Sequence, residues 1–310
     1  MPCPDVPDPD SFDPTNDLPR MTLGEHLDEL RGRLMKSVIA LVATMLAAFF
    51  AWEPIWEFVR APYVDAARRA GVANAQLLSL DPGEGFLSIL KLCFLVGVVV
   101  ASPIVLWQMW GFIAAGLYKH ERKLVRIFFP ISLGLFAVGV VMAYTVLIPF
   151  GMRFLIQWNV DMPGVGTQFR IQTYISTCLT MVFGMALLFL LPLVMLFLQA
   201  TNIVSQKTFW KGWRVAVLLA FVVGMFLTDP SPTTQVLMAI PVVGLYFLGC
   251  WGGNFVGEDR RTFRWYHAWP LVLGAVLITL LIVFADDINT SLFGVADEPA
   301  AVPEAPDQGP

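Results

Sequence analysis

Seven apolar runs fill most of the chain between residues 35 and 285, at about 35–52, 86–113, 124–149, 173–200, 213–228, 234–252 and 268–285. A helix rises ~1.5 Å per residue, so roughly 20 apolar residues cover the ~30 Å hydrocarbon core of a bilayer. Backbone polar groups inside lipid must be satisfied within the segment, which leaves the helix as the form for such runs. The chain is therefore expected to be an all-α, polytopic membrane bundle. Of its 310 residues 57% are hydrophobic and only 14% charged, against roughly 25% charged in soluble domains. The mean hydropathy of +0.68 agrees with that reading.

Several function classes fall away early. A net charge of −4 gives no basis for nucleic-acid binding. Cys3, Cys93, Cys178 and Cys250 show neither CxxC nor zinc spacing, and three of them lie in apolar runs. No HExxH, GxSxG or P-loop pattern is present, so no enzyme is expected, and no cofactor or metal is implied. His26, His120 and His267 are far apart in sequence and read as interfacial residues. No ionisable residue lies in the middle of a run, which argues against a proton-coupled small-solute transporter.

The connections organise the rest. Residues 1–21, rich in Pro and Asp, are expected to be a disordered tail without a secretory signal. Thr22 and Glu25 have capping-box spacing, and Leu23, Leu27, Leu30 and Leu34 form an apolar stripe. That stripe predicts a short amphipathic helix, either lying on the membrane surface or leading into the first span. The connection 53–85, with Pro54, Pro62 and Pro82, is long enough for an extramembrane cap. Basic residues gather on alternate connections: Arg31, Arg33 and Lys36; Lys119, Arg122, Lys123 and Arg126; Lys207, Lys211 and Arg214; Arg260, Arg261 and Arg264. The positive-inside rule then puts the N-terminus in the cytoplasm and, after seven spans, the C-terminus outside. No Lys or Arg follows residue 264. The expected divisions are a membrane domain over 22–252, a basic connection over 253–267, an extra span over 268–285 and an acidic tail over 286–310. The fifth run has only Val215 to Leu227 as continuous apolar sequence, ~20 Å of helix, so either flanking side chains snorkel or the bilayer thins there.

Two carboxylates stand among basic residues, Glu29 in HLDELRGRL and Glu121 in YKHERK. One account is plain neutralisation, with Glu29 paired to Arg33 at i,i+4. The other is that both face one surface and hold guanidinium groups of a partner. Pro103, Pro130, Pro149, Pro192 and Pro241 in or beside spans point to kinked helices suited to a concave scaffold.

HLDELRGRL (26–34), SPIVLWQMWGFIAAGLYKHERK (102–123) and AFVVGMFLTDPSPTTQVLMAIP (220–241) closely resemble the TatC family, the polytopic component of the twin-arginine protein translocase. Lys91, Tyr144 and Pro149 also fall where that family's pattern puts them, and the similarity extends over about 22–252. The resemblance implies a six-span, glove-like bundle in the inner membrane. It would receive twin-arginine signal peptides, recruit TatA-like and TatB-like single-span partners within a homo-oligomeric assembly, and use the protonmotive force. It implies that Glu29 and Glu121 bind the paired arginines, with His26, Arg31, Lys119 and Arg122 around them. Pro62, Phe86, Pro103, Gln108, Phe112, Tyr144 and Gln235 take structural or partner-facing positions in the same reading. The sequence departs from the family in four places: Leu190 and Leu191 stand before Pro192 where a glutamate is usual, the fifth turn reads Thr228-Asp229-Pro230-Ser231, Phe247 replaces a glutamate, and Ala115 replaces a proline. Gln199 and Gln235 are the candidate polar substitutes. A small-solute transporter or channel, and a diverged inactive paralogue, are the alternative readings.

Overall fold

The computed structural model describes residues 23–72, 76–116, 122–163, 168–201, 203–227 and 232–253, together with Gly274. The expected all-helical polytopic bundle is what forms. Its helices are α1 (Leu23–Phe50), α2 (Trp52–Arg69), α3 (Glu84–Gly116), α4 (Arg122–Met142), α5 (Ile148–Val160), α6 (Ile171–Leu188), α7 (Leu191–Ala200), α8 (Gln206–Lys211), α9 (Trp213–Leu227) and α10 (Pro232–Gly252). Among the described residues four stretches are long and apolar enough to cross a membrane: Gly24–Phe50, Glu84–Gly116, Val125–Val160 and Ile171–Ala200. Two shorter apolar helices follow, Trp213–Leu227 and Met238–Gly252. Among the described residues the runs expected at 35–252 are helical apart from Ala51 and a break at Phe189 and Leu190; the seventh, the capping-box Thr22 and both tails lie outside the described residues.

The amphipathic stripe and the first run join in one uninterrupted helix, α1. It lies along α3, where Thr44 Oγ1 donates to the Gly97 carbonyl at 2.9 Å. A Cβ at Gly97 would sit 3.1 Å from Met45 Cα, so only a glycine lets the two backbones approach this closely. The remaining apolar surface of α1, including Leu34, Ile39 and Leu46, is exposed.

The connection 53–85 folds as the helix α2, which buries Val59, Tyr63, Ala66 and Ala67 along one face. It ends where Gly71 takes φ 74°, with Val72 N donating to Ala67 O at 3.0 Å and Gly71 N to Arg68 O at 3.1 Å, a Schellman stop. Burial raises the pKa of Tyr63 above the ordinary phenol value.

The prolines explain how the cap is fastened. Pro62 has no N–H, so the Phe58 carbonyl four residues earlier lacks its helical donor. Tyr144 supplies it, its hydroxyl donating to Phe58 O at 2.7 Å while its ring stacks on Phe58 at 4.4 Å. Tyr174 donates to the next carbonyl, Val59 O, at 2.5 Å. Pro103 frees Val99 O in α3, and Ser102 Oγ donates to it at 2.7 Å. Ahead of Pro149 the α4–α5 span widens into a π-turn at Ala143–Leu147. Pro192 likewise leaves Leu188 O without a donor, and the α6–α7 span is interrupted at Phe189 and Leu190.

Beneath α2, Glu84 is buried at the start of α3. Its Oε2 accepts from Leu80 N at 2.8 Å and from Arg170 Nη2 at 3.2 Å, and its Oε1 accepts from Gln172 N at 3.2 Å. Arg170 also reaches Asp81 at 3.3 Å. The hydrogen bond and charge of Glu84 raise the Arg170 pKa further above its ordinary value. Backbone bonds Leu78 N to Phe169 O (2.8 Å) and Ile171 N to Leu78 O (2.9 Å) tie the same segments. The end carrying α2 is called the far end below; the end where α1 starts and α3 finishes is the near end.

Candidate functional site

At the near end the helical period of α1 turns His26, Glu29 and Arg33, at i, i+3 and i+7, toward α3. His26 stacks on Phe112 with centroids 4.5 Å apart and planes at 19°. Arg33 Nη2 and Nε both donate to Glu29 Oε1, at 2.6 and 3.0 Å. The guanidinium fits because residue 111 is glycine; a Cβ there would collide with Arg33 Nη1. Ser37 Oγ donates to Arg33 O at 3.1 Å. The seam is only partly closed: the Glu29 and Arg33 side chains keep 21% and 27% of their surface.

The i,i+4 pair read from the sequence is therefore present, and it leaves something over. Glu29 Oε2 is buried and has no hydrogen-bond partner among the described residues. An ionised carboxylate accepts about four hydrogen bonds, and a buried polar atom without one is uncommon. Both Arg33 contacts fall on one oxygen, so the other is an open acceptor facing a seam between two helices. A cationic donor, above all a guanidinium, matches that vacancy.

The other expected site residues fall into groups. Gln108 and Phe112 are half-buried on the α3 side of the seam, whereas Arg31 is exposed, 200° around α1 from Glu29, and the fold does not bring it in. Glu121 and Lys119 lie outside the described residues, and Arg122 opens α4 with its side chain undescribed. Pro62 and Tyr144 meet at the far end through the Phe58 carbonyl. Pro103 is exposed within α3 and Phe86 is 60% exposed near its start. Gln235 Nε2 donates to Phe221 O at 3.0 Å, joining α10 to α9. Gln199 is buried against α10, with Nε2 3.5 Å from Gly249 O. Leu190 is buried in the core.

Sequence reasoning did not find the Glu84–Arg170 network, because its members are 86 residues apart. It also passed over the bond of 3.0 Å from Lys91 Nζ to Ser176 Oγ, for which the position of Lys91 just inside an apolar run was the available signal. Among the described residues no group of His, Cys, Asp or Glu could hold a metal ion.

Comparison with known proteins gives a consistent picture. A family model described as Sec-independent protein translocase protein (TatC) matches residues 25–241. The chain is 32% identical over 226 residues to the Sec-independent protein translocase protein TatC of Helicobacter pylori strain 26695, covering 73% of this chain and 85% of that one. It is 34% identical over 248 residues to the TatC of Synechocystis sp., covering 78% and 92% respectively. A crystal structure of the twin-arginine translocase receptor TatC superimposes with a TM-score of 0.65 at 30% identity, covering 74% of this chain and 98% of that one.

Proposed function

The chain belongs to the TatC family of Sec-independent protein translocase proteins, a non-enzymatic family, and from that premise we propose that it receives twin-arginine signal peptides at the near end of its bundle. The observation that carries this reading is the open, buried Oε2 of Glu29 beside a carboxylate oxygen already holding one guanidinium. An arginine of the signal peptide donates to Oε2, and Glu121 takes the second arginine. His26 and Phe112 wall the seam, Lys119 and Arg122 are assigned to the same surface by the family resemblance, and Arg31, which faces away from the seam, is left out of it.

The near end faces the cytoplasm in this reading, because the basic connections belong to that side, and α2 caps the bundle outside the inner membrane. The C-terminal tail, after a seventh span over 268–285, lies outside. TatA-like and TatB-like single-span helices and further copies of the chain complete the translocase, which draws on the protonmotive force. With Gln199 sealed against α10 and Leu190 in the core, Gln235 is the polar group a partner helix meets, and packing carries the rest of the contact.

The test is crosslinking of a twin-arginine signal peptide, carrying a photoreactive residue beside the arginine pair, to the assembled protein in membranes. Replacing Glu29 or Glu121 with Ala should weaken the crosslink, and the double replacement should abolish it. Wild-type crosslinking in all three variants would refute the reading.

A further inference from the structure

A cavity of about 470 Å³ opens at the far end, away from the recognition seam. Thr173, Ser176, Thr177 and Thr180 form its wall, a hydroxyl-bearing face of α6 at i, i+3, i+4 and i+7, and Phe226 and Leu227 of α9 form its floor. The floor is deep because α9 is short. Leu227 packs on Gly184, where a Cβ would overlap it, and Gly184 lies ~20 Å along α6 from Ile171. Among the described residues α9, which ends at Leu227, does not extend along the turns of α6 above that point.

Lys91 of α3 stands behind this wall, its ammonium donating to the Oγ of the wall residue Ser176 at 3.0 Å. An ammonium has three donors, and a serine hydroxyl uses one of them. Arg170, at the mouth, already has Asp81 and Glu84. Among the described residues no carboxylate pairs with Lys91. Among the described residues it is the charge beside the cavity that no carboxylate balances, and a charge at membrane depth without a partner is costly.

Depth identifies the kind of anion. The 33 residues of α3 span about 50 Å, some 20 Å more than the hydrocarbon core, so a centred helix protrudes ~10 Å at each end. Lys91 lies seven residues from Glu84, ~10 Å along the helix and hence at the level where lipid phosphates begin. Below Thr180 the same face of α6 turns apolar, with Phe183 and Leu187 both exposed. Hydroxyls and an ammonium above, with aromatic and aliphatic side chains below, match an amphiphile standing along α6.

We propose that this cavity binds a phospholipid from the leaflet on the α2 side, its phosphate held by Lys91 and the hydroxyls of Thr173 and Thr177 and its acyl chains running over Phe183 and Leu187. Ser176 acts as the positioning residue, fixing the ammonium of Lys91 at the wall. The site is independent of the near-end seam, so it stands or falls apart from the signal-peptide reading.

Native mass spectrometry of the full-length protein, released from micelles supplied with phosphatidylglycerol or with a diacylglycerol of the same chains, tests it. The wild type should retain one phosphatidylglycerol and little diacylglycerol. K91M should lower phosphatidylglycerol affinity by about tenfold or more, the scale of one charge-assisted hydrogen bond, and K91R should preserve it. T177V removes only a hydroxyl from the wall and keeps the test informative if K91M does not fold; it should weaken retention without changing thermal stability. Equal retention of diacylglycerol, wild-type affinity in K91M or T177V, or displacement of the lipid by inorganic phosphate would each overturn the proposal.

Discussion

The two ends of the bundle treat their charged and polar groups in opposite ways. At the far end, both oxygens of Glu84 are used, Arg170 is shared between two carboxylates, and two tyrosine hydroxyls reach carbonyls of α2. At the near end, among the described residues, one carboxylate oxygen carries both contacts of a single arginine and the other carries none. The partners at the far end are 85 to 115 residues apart in most cases, whereas Glu29 and Arg33 are one turn apart on one helix. Long-range satisfied bonds fix a geometry; a local, half-used pair holds a group ready without locking the helices around it. In the proposed reading, fold and recognition rest on separate polar clusters, and that separation can be broken experimentally.

The largest expected effect on stability is at the far end. Y174F removes a buried hydroxyl that donates to Val59 O across the bundle, and such a hydrogen bond contributes ~0.5–1.5 kcal/mol. Thermal unfolding in a fixed detergent should show a clearly lowered midpoint, and an unchanged midpoint would mean that α2 is held by packing alone.

How much of this was legible in the sequence follows from the same contrast. Apolar length announced the spans, because lipid leaves a long apolar run one regular form. The i,i+4 spacing announced Glu29 with Arg33. The prolines at 103, 149 and 192 announced irregularity, but not its form: a hydroxyl on Val99 O, a π-turn, and a two-residue break. The helix α2 was readable only as a cap, since Pro54, Pro62 and its charges dilute the buried stripe of Val59, Tyr63, Ala66 and Ala67. Nothing local marks Glu84 as the partner of Arg170, or Tyr144 as the donor for a carbonyl freed by Pro62. Such pairs exist only after the helices pack. Glu29 Oε2 belongs to this class too: its identity was visible, its vacancy was not.

The smallest expected stability effect is at the near end. E29Q exchanges one part-exposed helical ion pair for a neutral acceptor, and such pairs contribute ~0.5 kcal/mol or less. Its unfolding midpoint should stay close to that of the wild type. A fall as large as that of Y174F would erase the proposed division between the two ends.

Binding should invert that order, and the most direct measurement is the affinity of a twin-arginine signal peptide for the full-length protein and its E29Q and Y174F variants, titrated below their unfolding range. Loss of the charge on Glu29 should weaken binding by about tenfold or more, the scale of a charge-assisted hydrogen bond, while Y174F should bind as the wild type does. Wild-type affinity in E29Q together with lost affinity in Y174F would contradict the account, placing recognition at the far end.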